Sequence, residues 1–244
     1  MSSKAYAMFH PYGEKTFRTN AYLQFGKSSA SIGSFLMLSP ESAELVKPQV
    51  LAGAVMGEIR LDRTMNQIVK IVKKHEPGPI EGRVYMYNLL PIKNTKSNEV
   101  LQEEITKEYI QFLYDSIDHF QKKNHPWVVI GWGVNQPTRF KELKEKWLDF
   151  FETNQVRTYG VRGEGPLDYY HPSPELASDQ AVYLERITAQ FQAAPTLKDI
   201  ARQVQPQADI HQLVIDCANC SHKSILLTQE VLLSFYCPSC GGEI

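Results

Sequence analysis

Four short apolar runs, each cut off by glycine, proline or a polar turn, alternate along this chain with segments whose apolar residues recur at helical spacing. The runs are 34–38, 83–90, 126–133 and 156–161. Between and after them lie 61–74, with Met65, Ile68, Val69 and Val72 on one face, and 99–122, with Leu101, Ile105, Tyr109, Phe112, Leu113 and Ile117. Two more helical segments follow, at 139–152 and 176–191. Strands that alternate with amphipathic helices must bury both faces of the sheet. The pattern predicts an α/β domain, a three-layer αβα sandwich with a central, mostly parallel four-stranded sheet. In such sheets the site lies beyond the carboxyl ends of the strands. Ser39, Asn88, the Trp132-Gly133 turn and the loop bearing His171 occupy those ends.

The rest of the chain is less regular. Residues 1–27 mix aromatics with glycine, proline and charge without a period, and 22–25 reads as a short strand before the turn at 26–29. Past Pro40, a short helical turn over 41–46 can be capped by Ser39 or Ser42. From residue 192 the texture becomes that of a linker with one short helix at 197–204. The expected division is an α/β domain over 1–191, a linker over 192–211 and a small module over 212–244. A chain of 244 residues with 43% hydrophobic content has room for one sizeable core and such an appendage. No apolar run reaches membrane-spanning length, and the N-terminus lacks the basic-then-apolar pattern of a secretory signal. Cytoplasmic residence, with no membrane partner, is the expectation. A net charge of −1 excludes a protein coated in positive charge but not a local basic face. Lys141, Lys144 and Lys146 on the third helix fit a DNA face or, more commonly, a solvated one.

The small module carries all four cysteines. Cys217 and Cys220, then Cys237 and Cys240, form two C-x-x-C turns sixteen residues apart. Each turn directs two thiolates at one ion, and four such ligands make a closed tetrahedral site. Segments 224–227 and 232–236 read as the strands of a zinc ribbon, with a structural zinc stabilising a module too small for its own core. Redox dithiols and unmetallated thiols are the competing readings.

The last motif is His171-Pro172-Ser173-Pro174. Two prolines flanking a serine cannot extend a helix and remove donors from a strand, so this is a rigid loop. A rigid loop holds an imidazole in place for proton work or charge stabilisation. A surface turn that happens to contain histidine is the bland alternative.

Taken together, the 36–40 run, residues 61–64, Asn88-Leu89-Leu90, Gly131-Trp132-Gly133 and His171-Pro172 resemble the DUF1643 family, over roughly residues 15–185. The same order is similar to the uracil-DNA glycosylase superfamily. There a proline-containing loop positions the hydrolytic water, matched here by Leu38-Ser39-Pro40-Glu41. A strand ending in Asn reads the base edge, matched by Tyr85-Met86-Tyr87-Asn88, and a strand ending in Trp-Gly follows at 129–133. The His-Pro-Ser-Pro loop comes last and matches residue for residue at 171–174.

The resemblance implies hydrolysis of an N-glycosidic bond in DNA, with no cofactor for the chemistry. His171 would stabilise negative charge on the departing base, and Asn88, with Pro40 and Tyr87 beside it, would recognise that base. Ser173, Lys93 and Trp132 would contact the DNA, and Leu176 would stand in for the leucine that wedges into the vacated stack. The chain departs from the family at the water loop, where the uracil enzymes with a His-Pro-Ser-Pro loop have Asp before the proline and Tyr after it. Here Ser39 precedes Pro40 and Glu41 follows. Glu41 and Asp62 are the candidate carboxylates, with Ser39 orienting the water. Loss of the tyrosine removes the bulk that rejects substituted pyrimidines, so a modified or damaged base, in DNA repair or in anti-phage defence, is the expected substrate. A nucleoside or nucleotide N-glycosidase and a non-catalytic nucleic-acid-binding module are the alternatives.

Overall fold

In a computed structural model of the chain, the described residues are 3–12, 15–40, 44–47, 53–76, 78–93, 106–192, 211–216 and 223–228. They divide into two units, 1–194 and 195–244. The first is an α/β unit built on a seven-stranded mixed sheet with four helices.

The four strands expected from the apolar runs are present as β3 (Ser31–Met37), β5 (Gly82–Asn88), β6 (Val128–Gly131) and β7 (Thr158–Tyr159). They are mutually parallel, in the order β5-β3-β6-β7. The sheet is wider than expected, because β1 (Lys4–Tyr12), β2 (Lys15–Phe25) and β4 (Val55–Ile59) extend it beyond β5 in antiparallel pairing. A four-stranded sheet therefore becomes seven. Leu45 forms an antiparallel bridge to Ile59 rather than part of a helical turn.

β1 and β2 escape periodicity for two reasons. Alanines 5, 7 and 21 occupy buried strand positions that larger apolar residues would have advertised. The pairing also slips: Tyr6 faces Tyr22 but Met8 faces Thr19, so β2 carries one extra residue, with Asn20 in the left-handed region at φ 48°. That bulge inverts the phase of the strand. Phe17 joins the core on one face of the sheet, and Arg18 turns towards the other.

Helix α1 (Arg63–His75) starts at Asp62, whose carboxylate accepts the Met65 amide at 2.7 Å, and ends in Lys73, Lys74 and His75. Helix α2 spans Lys107–Lys123, α3 spans Lys141–Thr153 behind a short 3-10 turn, and α4 spans Ala177–Gln192. Alternation along the strands separates two cores. Phe35, Met37, Val84, Met86 and Val129 pack with Met65, Ile68, Ile71 and Val72 of α1 and with Tyr183, Ile187 and Phe191 of α4. Leu36, Tyr85, Tyr87, Val128 and Ile130 pack with Tyr109, Leu113 and Phe120 of α2 and with Leu143, Trp147 and Phe151 of α3. The change of face follows from handedness. The chain leaves β3 for β5 on one side, then recrosses to β6 on the other, and right-handed crossovers moving in opposite directions cover opposite faces. The recrossing makes the carboxyl ends of β3 and β6 a switch point.

In the second unit, β8 (His211–Asp216) pairs antiparallel with β9 (Lys223–Thr228). All of β8 but His211 falls in the module expected over 212–244, and β9 takes in the 224–227 segment that reads as a strand. Glu41, Cys217, Cys220, Cys237, Cys240, the 197–204 helix and the 232–236 strand lie outside the described residues. No described helix is long and apolar enough to cross a membrane.

Candidate functional site

A narrow recess of about 10 Å³, room for a single water molecule, lies at the carboxyl ends of β3 and β5, on the α1 side of the sheet. Arg18, Met37, Ser39, Asp62, Thr64, Met65, Met86 and His171 line it. Ser39 arrives there because it continues the Phe35, Met37 alternation past the end of β3. Asn88 continues Val84, Met86 on the neighbouring strand and therefore projects to the same face. Its Oδ1 is buried without a hydrogen-bond partner among the described residues. Asp62 and Thr64 come from the start of α1, whose dipole favours negative charge in the recess.

Arg18 is the participant that the sequence conceals. It is buried, reaches the recess only through the bulge at Asn20, and brings a cation to a site otherwise furnished with Ser, Asp and His. No sequence motif marks it. The one available signal was an arginine beside a phenylalanine in a stretch without period.

His171 is held by a loop tied down at several points. Trp132 Nε1 donates to the Leu167 carbonyl at 2.7 Å, the Gly133 amide to Tyr169 at 2.8 Å and the Tyr170 amide to Val161 at 2.8 Å. Beyond the histidine, the Pro174 carbonyl accepts from Gln180 Nε2 at 2.9 Å and from the Arg63 guanidinium. Gln67 Nε2 in turn donates to the Gln180 carbonyl at 2.9 Å. His171 Nδ1 lies 3.2 Å from both the amide nitrogen and the carbonyl oxygen of Ser173. The amide can only donate, so the neutral ring with its proton on Nε2 satisfies that contact. The carbonyl can only accept, so a proton on Nδ1 satisfies the other. In the first state the ring carries its proton on Nε2.

The structure thus brings Ser39, Asp62 and His171 together. Pro40 is buried beside Ser39 without lining the recess. Tyr87, expected at the base, points into the opposite core. Its hydroxyl sits between His119 Nδ1 at 3.0 Å and His125 Nε2 at 2.8 Å, and His125 Nδ1 meets Ser31 Oγ at 2.6 Å. Burial depresses both imidazoles, His119 to about 4 and His125 to about 3.

The expected DNA contacts fare unevenly. Trp132 is wholly buried and serves the loop rather than a ligand. The Ser173 hydroxyl is buried, which takes it away from a surface phosphate. Lys93 lies over the Phe9 ring, 5.8 Å from its centroid, and does not line the recess. Leu176 is 64% exposed next to the loop, so it is not a helix core residue. The lysines of α3 do not form a free basic face. Lys141 pairs with Glu145, Lys146 pairs with Glu142 and meets the Tyr114 hydroxyl, and Lys144 is buried over Trp132.

No protein-family model matches the chain, and neither does any curated protein or solved structure.

Proposed function

We propose that the protein is a monofunctional DNA glycosylase that hydrolyses the N-glycosidic bond of a flipped, modified or damaged base. One observation carries this reading. Ser39, Asp62 and His171, far apart in sequence, meet with Arg18 in one recess at the carboxyl ends of the parallel strands. The resemblance to the uracil-DNA glycosylase superfamily points to the same positions.

The chemistry asked of these residues is modest. As the bond between the sugar C1′ and the base nitrogen breaks, its electron pair leaves with the base and the sugar becomes oxocarbenium-like. His171 Nε2–H donates to the base where that charge develops, and the Arg18 cation lowers its energy further. Water held by Ser39 attacks C1′, and its proton passes to Asp62, which is assigned this role because it lines the recess. The unpartnered Asn88 Oδ1 accepts a hydrogen bond from the base edge.

One feature favours a second reading, a non-catalytic nucleic-acid-binding module. Asp62 already caps α1 through Oδ1, and a serine stands at the position where the family has its water-activating aspartate. Base release from a panel of duplexes and modified-base genomic DNAs, scored as abasic sites with His171→Ala beside wild type, separates the two. Release lost in the variant supports the glycosylase. Salt-sensitive DNA binding without release supports the binding module. Release from free nucleosides, insensitive to salt, supports a nucleoside hydrolase.

The four cysteines are assigned a structural zinc. Asp216 pairs with Lys223, so the first C-x-x-C falls in the connection between two paired strands, where a zinc knuckle requires it. Bound there, the ion would supply folding energy and no catalytic step. Metal analysis should find a single zinc per chain, absent from Cys237→Ser.

A further inference from the structure

His171 also forms part of a second and larger cavity. A pocket of about 430 Å³ lies between the loops that follow β6 and β7 and the first three turns of α4. Its walls include Val134, Gln136, Tyr170, Val182, Tyr183 and Arg186. Three observations point to an occupant. Tyr170, Leu176 and Val182 are each more than 40% exposed, and Tyr170 and Val182 line the pocket while Leu176 stands beside its Pro174 wall, so apolar surface is concentrated here. Inside, Tyr183 is 3% exposed and its hydroxyl has no hydrogen-bond partner among the described residues; the same holds for Gln136 Oε1. Both atoms are sealed by protein rather than exposed to the cavity, so the walls offer an occupant mainly apolar and aromatic surface. At the rim, Arg186 makes no ion pair among the described residues, and Asp179 is its counterweight.

We propose that this pocket takes a second nucleobase, the one adjoining the target nucleotide in a locally unpaired strand. The Tyr170 ring stacks on the base, Val134 and Val182 flank it, and Arg186 meets the intervening phosphate. This rests on the glycosylase reading for the recess, since His171 is the wall that the two cavities share. Stacking tolerates any base, so the pocket confers a demand for unpaired flanking sequence rather than for a particular letter. Such a demand selects single strands, bulges or mismatched tracts over intact duplex.

The probe is a short single-stranded oligonucleotide with a tetrahydrofuran abasic analogue and 2-aminopurine on one side of it or the other. Wild type should quench the 2-aminopurine at one of the two positions. Tyr170→Ala and Val182→Glu, both at exposed positions that leave the core intact, should each weaken that binding roughly 5- to 100-fold. Binding without quenching at either position, quenching indifferent to both substitutions, or no binding at all would overturn the proposal. Quenching without base release from any substrate would sink the glycosylase reading and leave the pocket standing. Base release without quenching does the reverse.

Discussion

Gly131 and Pro172 touch: a β-carbon placed on Gly131 would lie 2.7 Å from Pro172 Cδ. Gly131 ends β6 opposite Met37 of β3, at the switch point of the sheet, and Pro172 follows His171 directly. The glycine thus sets how deeply the histidine loop seats on the strand ends.

Gly131→Ala should therefore act on geometry more than on stability. The proline ring is stiff and its loop is anchored at Leu167, Tyr169 and Pro174, so the added methyl displaces His171 rather than being absorbed. A shift of about 1 Å in a catalytic group costs on the order of 100-fold in rate, whereas overpacking costs about 1–3 kcal/mol. Base-release rate and thermal melting of the same variant measure both. A rate unchanged beside a large fall in Tm would show that the contact supports the fold and not the site.

The bulge in β2 makes a second prediction. Asn20 holds φ 48°, which glycine adopts freely and a β-branched residue does not. Asn20→Gly should leave Tm nearly unchanged, and Asn20→Val should lose about 1–2 kcal/mol. If valine relieves its strain by removing the bulge, Arg18 turns away from the recess and base release falls with stability. Arg18→Met distinguishes the two effects, since it removes the charge without altering the strand.

How much of this could be read beforehand differs by element. The parallel strands and all four helices were legible because each carries large apolar residues at one unbroken period. β1 and β2 were not, because small alanines and a phase-inverting extra residue erase the alternation. In the site, His171 and Ser39 were visible through local motifs, and Asp62 as a helix start. Arg18 was not, because its role depends on a register shift that no local pattern records. Tyr87 and Trp132 show how strand alternation works against motif reading: residues next to a motif on a strand point to the opposite face or into the core.

The His119–Tyr87–His125 chain, buried at Tyr87 and His125 and half-buried at His119, predicts acid sensitivity. Both imidazoles titrate lower when folded, near 4 and 3, than the ordinary 6.5. The unfolded chain binds protons first as pH falls, so the stability contributed by the neutral pair is complete above about 6.5 and declines from there towards pH 3. Tm should fall across that window. Replacing both histidines by glutamine should flatten the fall, and an equally steep fall in that variant would assign it to the carboxylates instead.

On the nucleic-acid reading, the ion pairs along α3 bear on where a strand would be held. Lys141 and Lys146 are each within 3.6 Å of a glutamate one turn away, which lowers their value to a phosphate. Replacing both with glutamine should leave the slope of log affinity against log salt unchanged. Arg186→Gln should reduce it by roughly one phosphate contact, a change of about 0.7 for a single strand. The opposite ranking would move the strand to the α3 side.

Asn88 presents the sharpest conflict between stability and function. Its Oδ1 is buried on the recess side of the sheet with no partner among the described residues, and an unsatisfied buried acceptor costs about 1–3 kcal/mol. On the glycosylase reading, a side chain kept at such a cost serves the base edge. Asn88→Leu, close in shape and apolar, should raise Tm while abolishing base release, a pairing found where a site is held against its own stability. Asn88→Asp keeps the acceptor and removes the amide donor, so it should shift preference among bases rather than silence the protein. A Tm that falls in Asn88→Leu would mean that the amide supports the strand ends, and base reading would then have to come from another side chain of the recess.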